Sequence, residues 1–142
     1  MNTEKTFDTQ ISMLNTFVRV QIAPSKIHGV GIFALCDISK GTKLYVDNMP
    51  EVFNLPYDRF NQLFPYVRRQ LLGRWPTIVN GSAFIYPDAR FLAYMNHSDE
   101  ANFDAFEDRT LKDIKKGEEI TEDYKKIANY TVAFPWLVPV VV

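Results

Sequence analysis

The chain has 142 residues, of which 46% are hydrophobic, 14% aromatic and 23% charged, and its formal net charge is −1 at pH 7. These values predict a single globular domain over residues 1–142 with a core of its own. They argue against a nucleic acid partner, because the balanced charge gives no general attraction to a phosphate backbone.

Metal-binding and membrane-spanning segments are not expected. Cys36 is the only cysteine, and His28 and His97 are the only histidines. The chain can therefore form neither an internal disulfide nor a closed Cys/His zinc site. The first seventeen residues lack a basic start and an uninterrupted apolar core, so we expect no signal peptide and no transmembrane helix. A cytoplasmic or host-intracellular location is the default expectation.

The predicted elements, taken in chain order, are mostly β-strands. Apolar and polar residues alternate over residues 17–22, which predicts a half-buried strand ended by Pro24. One helical region is predicted over residues 55–73, where apolar residues recur at helical spacing, with a kink or split at Pro65. Further short strands are predicted at residues 31–35, 42–46, 84–86, 109–114 and 119–121.

Two segments resemble each other, LCDISKG at 35–41 and LKDIKKG at 111–117. Each is predicted to form a strand, a turn and a second strand. The glycine would supply a positive φ at the reversal, and the isoleucine would point into the core. Two similar hairpin turns arising by chance are the alternative.

The segment HGVGIFA, residues 28–34, has the spelling of a dinucleotide-binding loop. Such a loop needs a strand that runs into its glycines and a helix that starts at them. Pro24 already ends the preceding strand, and the turn at Lys40 follows too soon for a crossover helix. We therefore reject this interpretation and expect the glycines to let the backbone approach a ligand closely.

Three motifs occur in order: HGVGIFA, then AYMNHSDEANF at 93–103, then KGEEITEDY at 116–124. Over about residues 18–126 they resemble the SET domain family of protein-lysine methyltransferases, in a compact, stand-alone form without zinc-binding flanking segments. The resemblance implies a mostly β fold with short helices, in which small curved sheets surround a C-terminal pseudo-knot. The segment with Asn96 would be crossed there by the segment leading to Tyr124.

The same resemblance implies S-adenosylmethionine as the cofactor and a protein lysine as the substrate. Tyr124 matches the family's tyrosine at the methyl-transfer centre. His97 is expected to be partly a core residue that contributes backbone more than imidazole. The implied cofactor-binding residues are His28, Gly29, Val30, Gly31, Tyr94, Asn96 and His97.

The lysine channel departs from the family's pattern at Glu122, where Phe or Tyr is usual. A carboxylate in the channel would hold the target amine protonated unless it is itself protonated or turned aside. We hypothesise that Glu122 alters the number of methyl groups added or the substrate preference. The family's second site tyrosine has two candidates, Tyr45 and Tyr86.

The tail over residues 130–142 carries no charge. It is expected to form a core strand, a lid over a site or a subunit contact that makes a homodimer, because an apolar patch of that size is rare on a monomer. Since the chain has no cysteine-rich segment to complete the lysine channel, we predict that this tail does so. Its candidate channel walls are Tyr130, Phe134 and Trp136.

Three alternatives stay open. The chain could be a catalytically weak or inactive SET fold that acts as a binding module, with Glu122 disabling the channel. A hydrolase using Ser98 with His97 is disfavoured, because adjacent side chains on an extended segment point apart. Glu118 and Glu119 could be a solvated charge run, and Asp123 a structural turn cap.

Overall fold

The computed structural model describes residues 3–44, 53–72, 77–79, 81–85, 94–126 and 134–137. The α-helices are α1, Thr3–Phe17, and α2, Pro65–Leu72. Single turns of 3₁₀ helix lie at Tyr124–Lys126 and Pro135–Leu137, and a longer one at Tyr57–Gln62. The strands are β1 (Val20–Pro24), β2 (Val30–Ala34), β3 (Phe53–Pro56), β4 (Thr77–Val79), β5 (Ser82–Ile85), β6 (Asn96–His97), β7 (Phe103–Asp104), β8 (Arg109–Thr110) and β9 (Glu119–Glu122).

The main sheet has the strand order β1-β2-β9-β6. Strand β9 pairs antiparallel with β2, with Ile32 opposite Ile120, and parallel with β6, with Asn96 opposite Thr121. The other two sheets are β3-β5-β4 and the hairpin β7-β8. Because β9 lies between β2 and β6, the three sequence motifs meet in one sheet.

The buried apolar residues form two clusters. One lies under the main sheet and includes Ile32, Met95 and Ile120. The other joins α1 to the segment 53–71 and includes Leu14, Leu55 and Val67. Residues of the site motifs belong to the first cluster, and the second, called the helical cluster, shares no residue with it.

The two similar segments pair with each other. Ile38 and Ile114 are buried and exchange both backbone hydrogen bonds, at 2.7 and 2.8 Å. Asp113 accepts from the N–H of Lys40, and Asp37 accepts from the N–H of Lys116, both at 2.8 Å. The predicted buried isoleucines are confirmed, and so are the positive-φ glycines, at 82° and 90° for Gly41 and Gly117. The similarity therefore has a structural role, because the aspartate of each segment accepts a hydrogen bond from the backbone of the other segment.

The predicted split at Pro65 is confirmed. The first part of the predicted helical region is a 3₁₀ helix over Tyr57–Gln62, which follows β3. Helix α2 then begins at Pro65, where the missing N–H costs nothing because the first helical position has no intrahelical acceptor.

Most predicted strands are found, with shifted ends. The strands at 31–35, 84–86 and 119–121 correspond to β2, β5 and β9. The strand predicted at 109–114 is confirmed only for Arg109–Thr110. Of the strand predicted at 42–46, residues 42–44 form only a bridge from Lys43 to Arg109, and the rest lies outside the described residues.

Helix α1 was not predicted, because the only helical region predicted was that over residues 55–73. Phe7, Ile11 and Leu14 recur at helical spacing and pack on the helical cluster. The helix continues through Phe17, so the strand predicted at 17–22 begins only at Val20. Within the described parts of the chain, no helix is long and apolar enough to cross a membrane.

Candidate active site

Asn96 joins the second motif to the loop of the first. Its side chain is buried, and Nδ2 lies 3.2 Å from the carbonyl oxygen of His28 and 3.0 Å from that of Val30. The same nitrogen lies 3.1 Å from Ser25 Oγ and 2.9 Å from Glu119 Oε2. An amide NH₂ has two hydrogens, so four oxygens around it leave a surplus of acceptors.

Glu119 reaches this group from β9. Ser25 Oγ donates to its carboxylate, at 2.7 Å from Oε1, and accepts from the N–H of Ile27 at 2.9 Å. A Cβ added at Gly31 would lie 2.9 Å from Glu119 Cδ and 3.0 Å from Asn96 Nδ2. Gly31 therefore gives these two side chains the room to approach its backbone.

The expectation of a solvated charge run is wrong for Glu119, although Glu118 is exposed. Ser25 and Glu119 are also the site residues that sequence reasoning missed. The signal that could have found Glu119 was the strand predicted at 119–121. Glu119 is the first residue of that strand, so it faces a neighbouring strand and not only solvent.

Asn102 holds β9 from the other side. Its Nδ2 donates to the carbonyl oxygen of Glu119 at 2.9 Å, and its Oδ1 accepts from the N–H of Thr121 at 2.8 Å. The side chain thus pairs with β9 as a neighbouring strand would. Sequence reasoning used Asn102 only to recognise the motif, and its structural role was missed.

His97 acts through its ring as well as its backbone. Nδ1 accepts from the N–H of Tyr124 at 3.1 Å, and Nε2 lies 3.1 Å from Asp99 Oδ1. A neutral ring that accepts at Nδ1 carries its proton on Nε2, where it can donate to Asp99. The expectation that backbone would dominate is corrected, because the imidazole fixes the backbone of Tyr124.

Tyr124 lies between the second motif and the tail. Its hydroxyl donates to the carbonyl oxygen of Met95, the residue before Asn96. Its ring stacks on Phe134, with centroids 4.3 Å apart, and meets Trp136 edge-on at 6.2 Å. The described part of the tail therefore folds over Tyr124, while Trp136 keeps 65% of its surface exposed.

Glu122 is buried beside Tyr124, with 9% of its surface exposed. Burial raises the pKa of its carboxyl group. Burial also raises the pKa of the Tyr124 hydroxyl, and the charge of Glu122 raises it further. The low exposure of Glu122 means that the residue is not turned out to solvent.

The model of the SET domain family matches residues 29–125, more than half of the chain. The chain belongs to the SET domain family. The matched span contains the second and third motifs and all of the first except His28, so the family and fold predicted from them are confirmed.

Comparison with solved structures gives matches of low identity. One is a Plasmodium falciparum protein assigned as a histone methyltransferase, at 19% identity and a TM-score of 0.37, with 75% of this chain and 92% of that one covered. Another is Polycomb Repressive Complex 2 of Chaetomium thermophilum, in an autoinhibited conformation bound to S-adenosylmethionine. Its sequence identity is 22% and its TM-score 0.40, and the match covers 83% of this chain but only 16% of that one. No curated protein sequence matches the chain.

The remaining predicted site residues of this SET domain divide into three groups. Tyr94 and Val30 are exposed, and His28 contributes its carbonyl oxygen while its side chain is exposed. Phe134 and Trp136 lie on Tyr124, as described above. The predictions for Tyr45, Tyr86 and Tyr130 fall outside the described residues.

An ion-pair network lies next to His97. Asp99 is paired with Lys125 at 2.8 Å, and this lysine, with His97, lowers the pKa of the Asp99 carboxyl. Asp123 Oδ1 accepts from the N–H of Lys125 at 3.0 Å, so its predicted role as a turn cap is confirmed. His97, Asp99 and Asp123 have possible metal-ligand atoms within 4.8 Å of one another. Each of these three residues, however, already takes part in the hydrogen bonds or ion pairs described above.

Proposed function

We propose that this SET domain transfers a methyl group from S-adenosylmethionine to the side-chain amine of a lysine in a protein substrate. The observation that carries the proposal is the bond from the Tyr124 hydroxyl to the carbonyl oxygen of Met95. It puts the phenol oxygen one residue from Asn96, whose amide holds the His28 and Val30 carbonyls. The three motifs therefore converge on one place, as a transfer centre requires.

The polar residues around Asn96 fit a cationic cofactor. Four acceptor oxygens surround a nitrogen with two hydrogens, and one of the four belongs to the Glu119 carboxylate. Such an excess of acceptors favours a ligand that brings positive charge and further N–H donors. When bound, S-adenosylmethionine supplies the methyl group from a positively charged sulfonium. The residues that would hold it are His28, Gly29, Val30, Gly31, Tyr94, Asn96 and His97.

The aromatic residues would prepare the amine. Tyr124, Phe134 and Trp136 form an apolar wall from two distant segments. An ammonium group that leaves water beside such a wall, next to another positive charge, has a lowered pKa and loses its proton more easily. Methyl transfer is an in-line displacement, so holding the amine in line contributes several kcal/mol, on the order of the gains known for well-oriented reactions.

The Tyr124 hydroxyl would orient the amine. Because its proton is donated to Met95, the oxygen keeps lone pairs that can accept an N–H of the substrate. His97 contributes indirectly, because its ring accepts a hydrogen bond from the Tyr124 backbone and so holds it in place. Tyr124 is therefore the catalytic residue of the proposal, and His97 is a positioning residue.

Glu122 is proposed to change how many methyl groups the site accepts. A carboxyl group is smaller and more polar than the Phe or Tyr usual at this position. Glu122→Phe should shift the proportions of mono-, di- and trimethyl-lysine, measured by mass spectrometry of the product. Identical products and rates in the variant and the wild type would contradict this role.

A binding module is the second candidate function, and the buried Glu122 carboxyl favours it. A carboxylate in the channel could keep a lysine protonated and bound without transfer. Both candidates predict that S-adenosylmethionine protects the protein from thermal unfolding, because a ligand of the native state stabilises it. The transfer of a labelled methyl group separates them.

The deciding experiment incubates the protein with methyl-labelled S-adenosylmethionine and a whole-cell extract. We expect label on lysine side chains, located by mass spectrometry. The same incubation is made with Tyr124→Phe. Its matched control is Tyr57→Phe, which removes the hydroxyl of an exposed tyrosine in the 3₁₀ helix Tyr57–Gln62. Thermal protection without any transferred label would overturn the proposal in favour of the binding module.

A further inference from the structure

Asp99 lies where the second motif meets the residues that follow β9. Its Oδ1 lies 3.1 Å from Nε2 of His97 and 2.8 Å from Nζ of Lys125, the residue after Tyr124. The other ring nitrogen of His97, Nδ1, accepts from the backbone N–H of Tyr124 at 3.1 Å. The contacts therefore form a closed ring, from Tyr124 through His97, Asp99 and the Lys125 side chain back to the backbone beside Tyr124.

The position of one hydrogen on His97 decides whether these contacts can form together. A neutral imidazole has one N–H and one bare nitrogen. With the hydrogen on Nε2, the ring donates to Asp99, and Nδ1 can accept from Tyr124. With the hydrogen on Nδ1, two N–H groups would face each other at Tyr124, and a bare nitrogen would face the carboxylate. Asp99 therefore favours the form of His97 that holds Tyr124, because a partner at one ring nitrogen fixes where the hydrogen lies.

Lys125 has two effects on Asp99. It keeps the carboxylate ionised, because Lys125, and after it His97, lower the pKa of that group. It also offsets the carboxylate's charge, which by itself would favour a doubly protonated ring without a bare nitrogen. Asp99 is exposed, so this ion pair adds little to the stability of the fold. Its effect falls on the orientation of His97, whose side chain is only 10% exposed.

We propose that Asp99, held by Lys125, is a positioning residue for methyl transfer, because it sets the hydrogen of His97 on Nε2 and so lets Nδ1 hold the Tyr124 backbone. The inference rests on the proposed function, in which Tyr124 is the catalytic residue. It adds to the site a residue that was not among the predicted ones. A backbone shift at Tyr124 would move the hydroxyl that is bonded to Met95, and a misplacement of about 1 Å can cost about 100-fold in rate.

The first test reads the contacts without catalysis, by NMR of nitrogen-15-labelled protein without ligand at pH 8. In the wild type, His97 should carry its hydrogen on Nε2. Asp99→Ala should speed the exchange of the Tyr124 amide with solvent about 3- to 10-fold, the scale of a partly exposed charge-assisted hydrogen bond. The matched control is Glu100→Ala, which removes the same charge from the adjacent exposed residue and should leave this exchange unchanged. A wild-type hydrogen on Nδ1, or no faster exchange in Asp99→Ala, overturns the inference.

The second test separates this role from that of an ion pair that only ties two segments together. Asp99→Lys combined with Lys125→Asp exchanges the two charges, but a lysine at position 99 offers no acceptor to Nε2 of His97. The Tyr124 amide of this double variant should therefore exchange as fast as that of Asp99→Ala. Asp99→Asn keeps an acceptor oxygen and should recover part of the slow exchange. Wild-type exchange in the charge-exchanged variant, or no recovery in Asp99→Asn, overturns the inference.

The third test measures the transfer of label from S-adenosylmethionine to protein in a whole-cell extract. Asp99→Ala should lower the rate about tenfold, less than a full misplacement of Tyr124 would, while the cofactor still protects the variant from thermal unfolding. Glu100→Ala should match the wild type. An Asp99→Ala variant as active as the wild type overturns the inference and leaves the proposed function intact. Absence of label with the wild type overturns the proposed function, and amide exchange then still decides whether Asp99 orients His97.

Discussion

The two sides of the site differ in the kind of contact that holds their side chains in place. On one side, Ser25, Asn96, Asn102 and Glu119 form a network in which each side chain is hydrogen-bonded within the chain. On the other side, Tyr124 stacks on Phe134, and Trp136 is largely exposed. The polar side is fixed by hydrogen bonds within the chain, whereas the aromatic side is built from ring contacts and stays open at Trp136.

This difference suggests a division of labour. A network of satisfied hydrogen bonds fixes the backbone of residues 28–31 before any ligand binds, and such pre-organisation lowers the cost of binding. An open aromatic wall keeps surface that a ligand can cover. Under the proposed function, the polar side would hold the cofactor and the aromatic side the lysine, and each prediction below perturbs one side.

The largest effect is expected from deleting residues 134–142. The deletion removes Phe134 and Trp136 from Tyr124, so the amine would be neither aligned nor shielded from water. Methyl transfer should fall by at least about 10³-fold, a small part of what alignment can contribute. The measurement is label incorporation at saturating cofactor.

The deletion should leave the fold intact, because neither apolar cluster contains a residue of 134–137. Circular dichroism and cofactor protection against unfolding are the controls. Trp136→Ala alone, which keeps the stacked Phe134, should lose less activity. Full activity in the truncated protein would show that the tail is not part of the channel, and the homodimer expected for the tail would then be tested by its oligomeric state.

The next largest effect is expected for Tyr124→Phe. This change keeps the ring that stacks on Phe134 and removes only the hydroxyl bonded to Met95. Transfer should fall about 10² to 10³-fold, as when one preorganised hydrogen-bonding group is removed from an active site. Cofactor affinity should hardly change. A variant as active as the wild type would remove Tyr124 from the mechanism.

The contrast between the two sides also explains what could be predicted from the sequence. The turns at Gly41 and Gly117 and the break at Pro65 follow from residues that act locally, so they were predicted. Glu119 was misjudged because its partner Ser25 is 94 positions away, and no local pattern reports such a distance.

Long-range packing accounts for the other misses. Helix α1 has its apolar stripe in the sequence, but the surface that covers it is built from residues 53–71. The position of the tail over Tyr124 was predicted only through the family resemblance, since an uncharged segment could equally be a core strand. The family and the fold were thus readable from motifs, and the contacts that support the site were not.

On the polar side, Gly31→Ala is expected to destabilise the protein by about 1–3 kcal/mol, the usual scale for breaking buried hydrogen bonds. The new methyl group would displace the Glu119 carboxylate from Ser25 and Asn96. Urea unfolding measures the loss. Adding Glu119→Asp to Gly31→Ala should recover part of it, because the shorter side chain withdraws from the methyl group. If the double variant is less stable than either single one, crowding by Glu119 is not the cause.

The smallest effect concerns stability and pH on the aromatic side. The folded-state pKa of Glu122 is raised above its ordinary value of 4.5, so the folded state favours the protonated carboxyl. Its contribution to stability is complete below the unfolded-state pKa and is lost as the pH rises through the folded-state pKa. Glu122→Gln does not titrate, so the stability of the wild type relative to this variant should fall as the pH rises above about 4.5 and then level off. Paired thermal unfolding without ligand measures the difference. Parallel curves for wild type and Glu122→Gln would mean that folding does not disfavour the ionised form of the Glu122 carboxyl group.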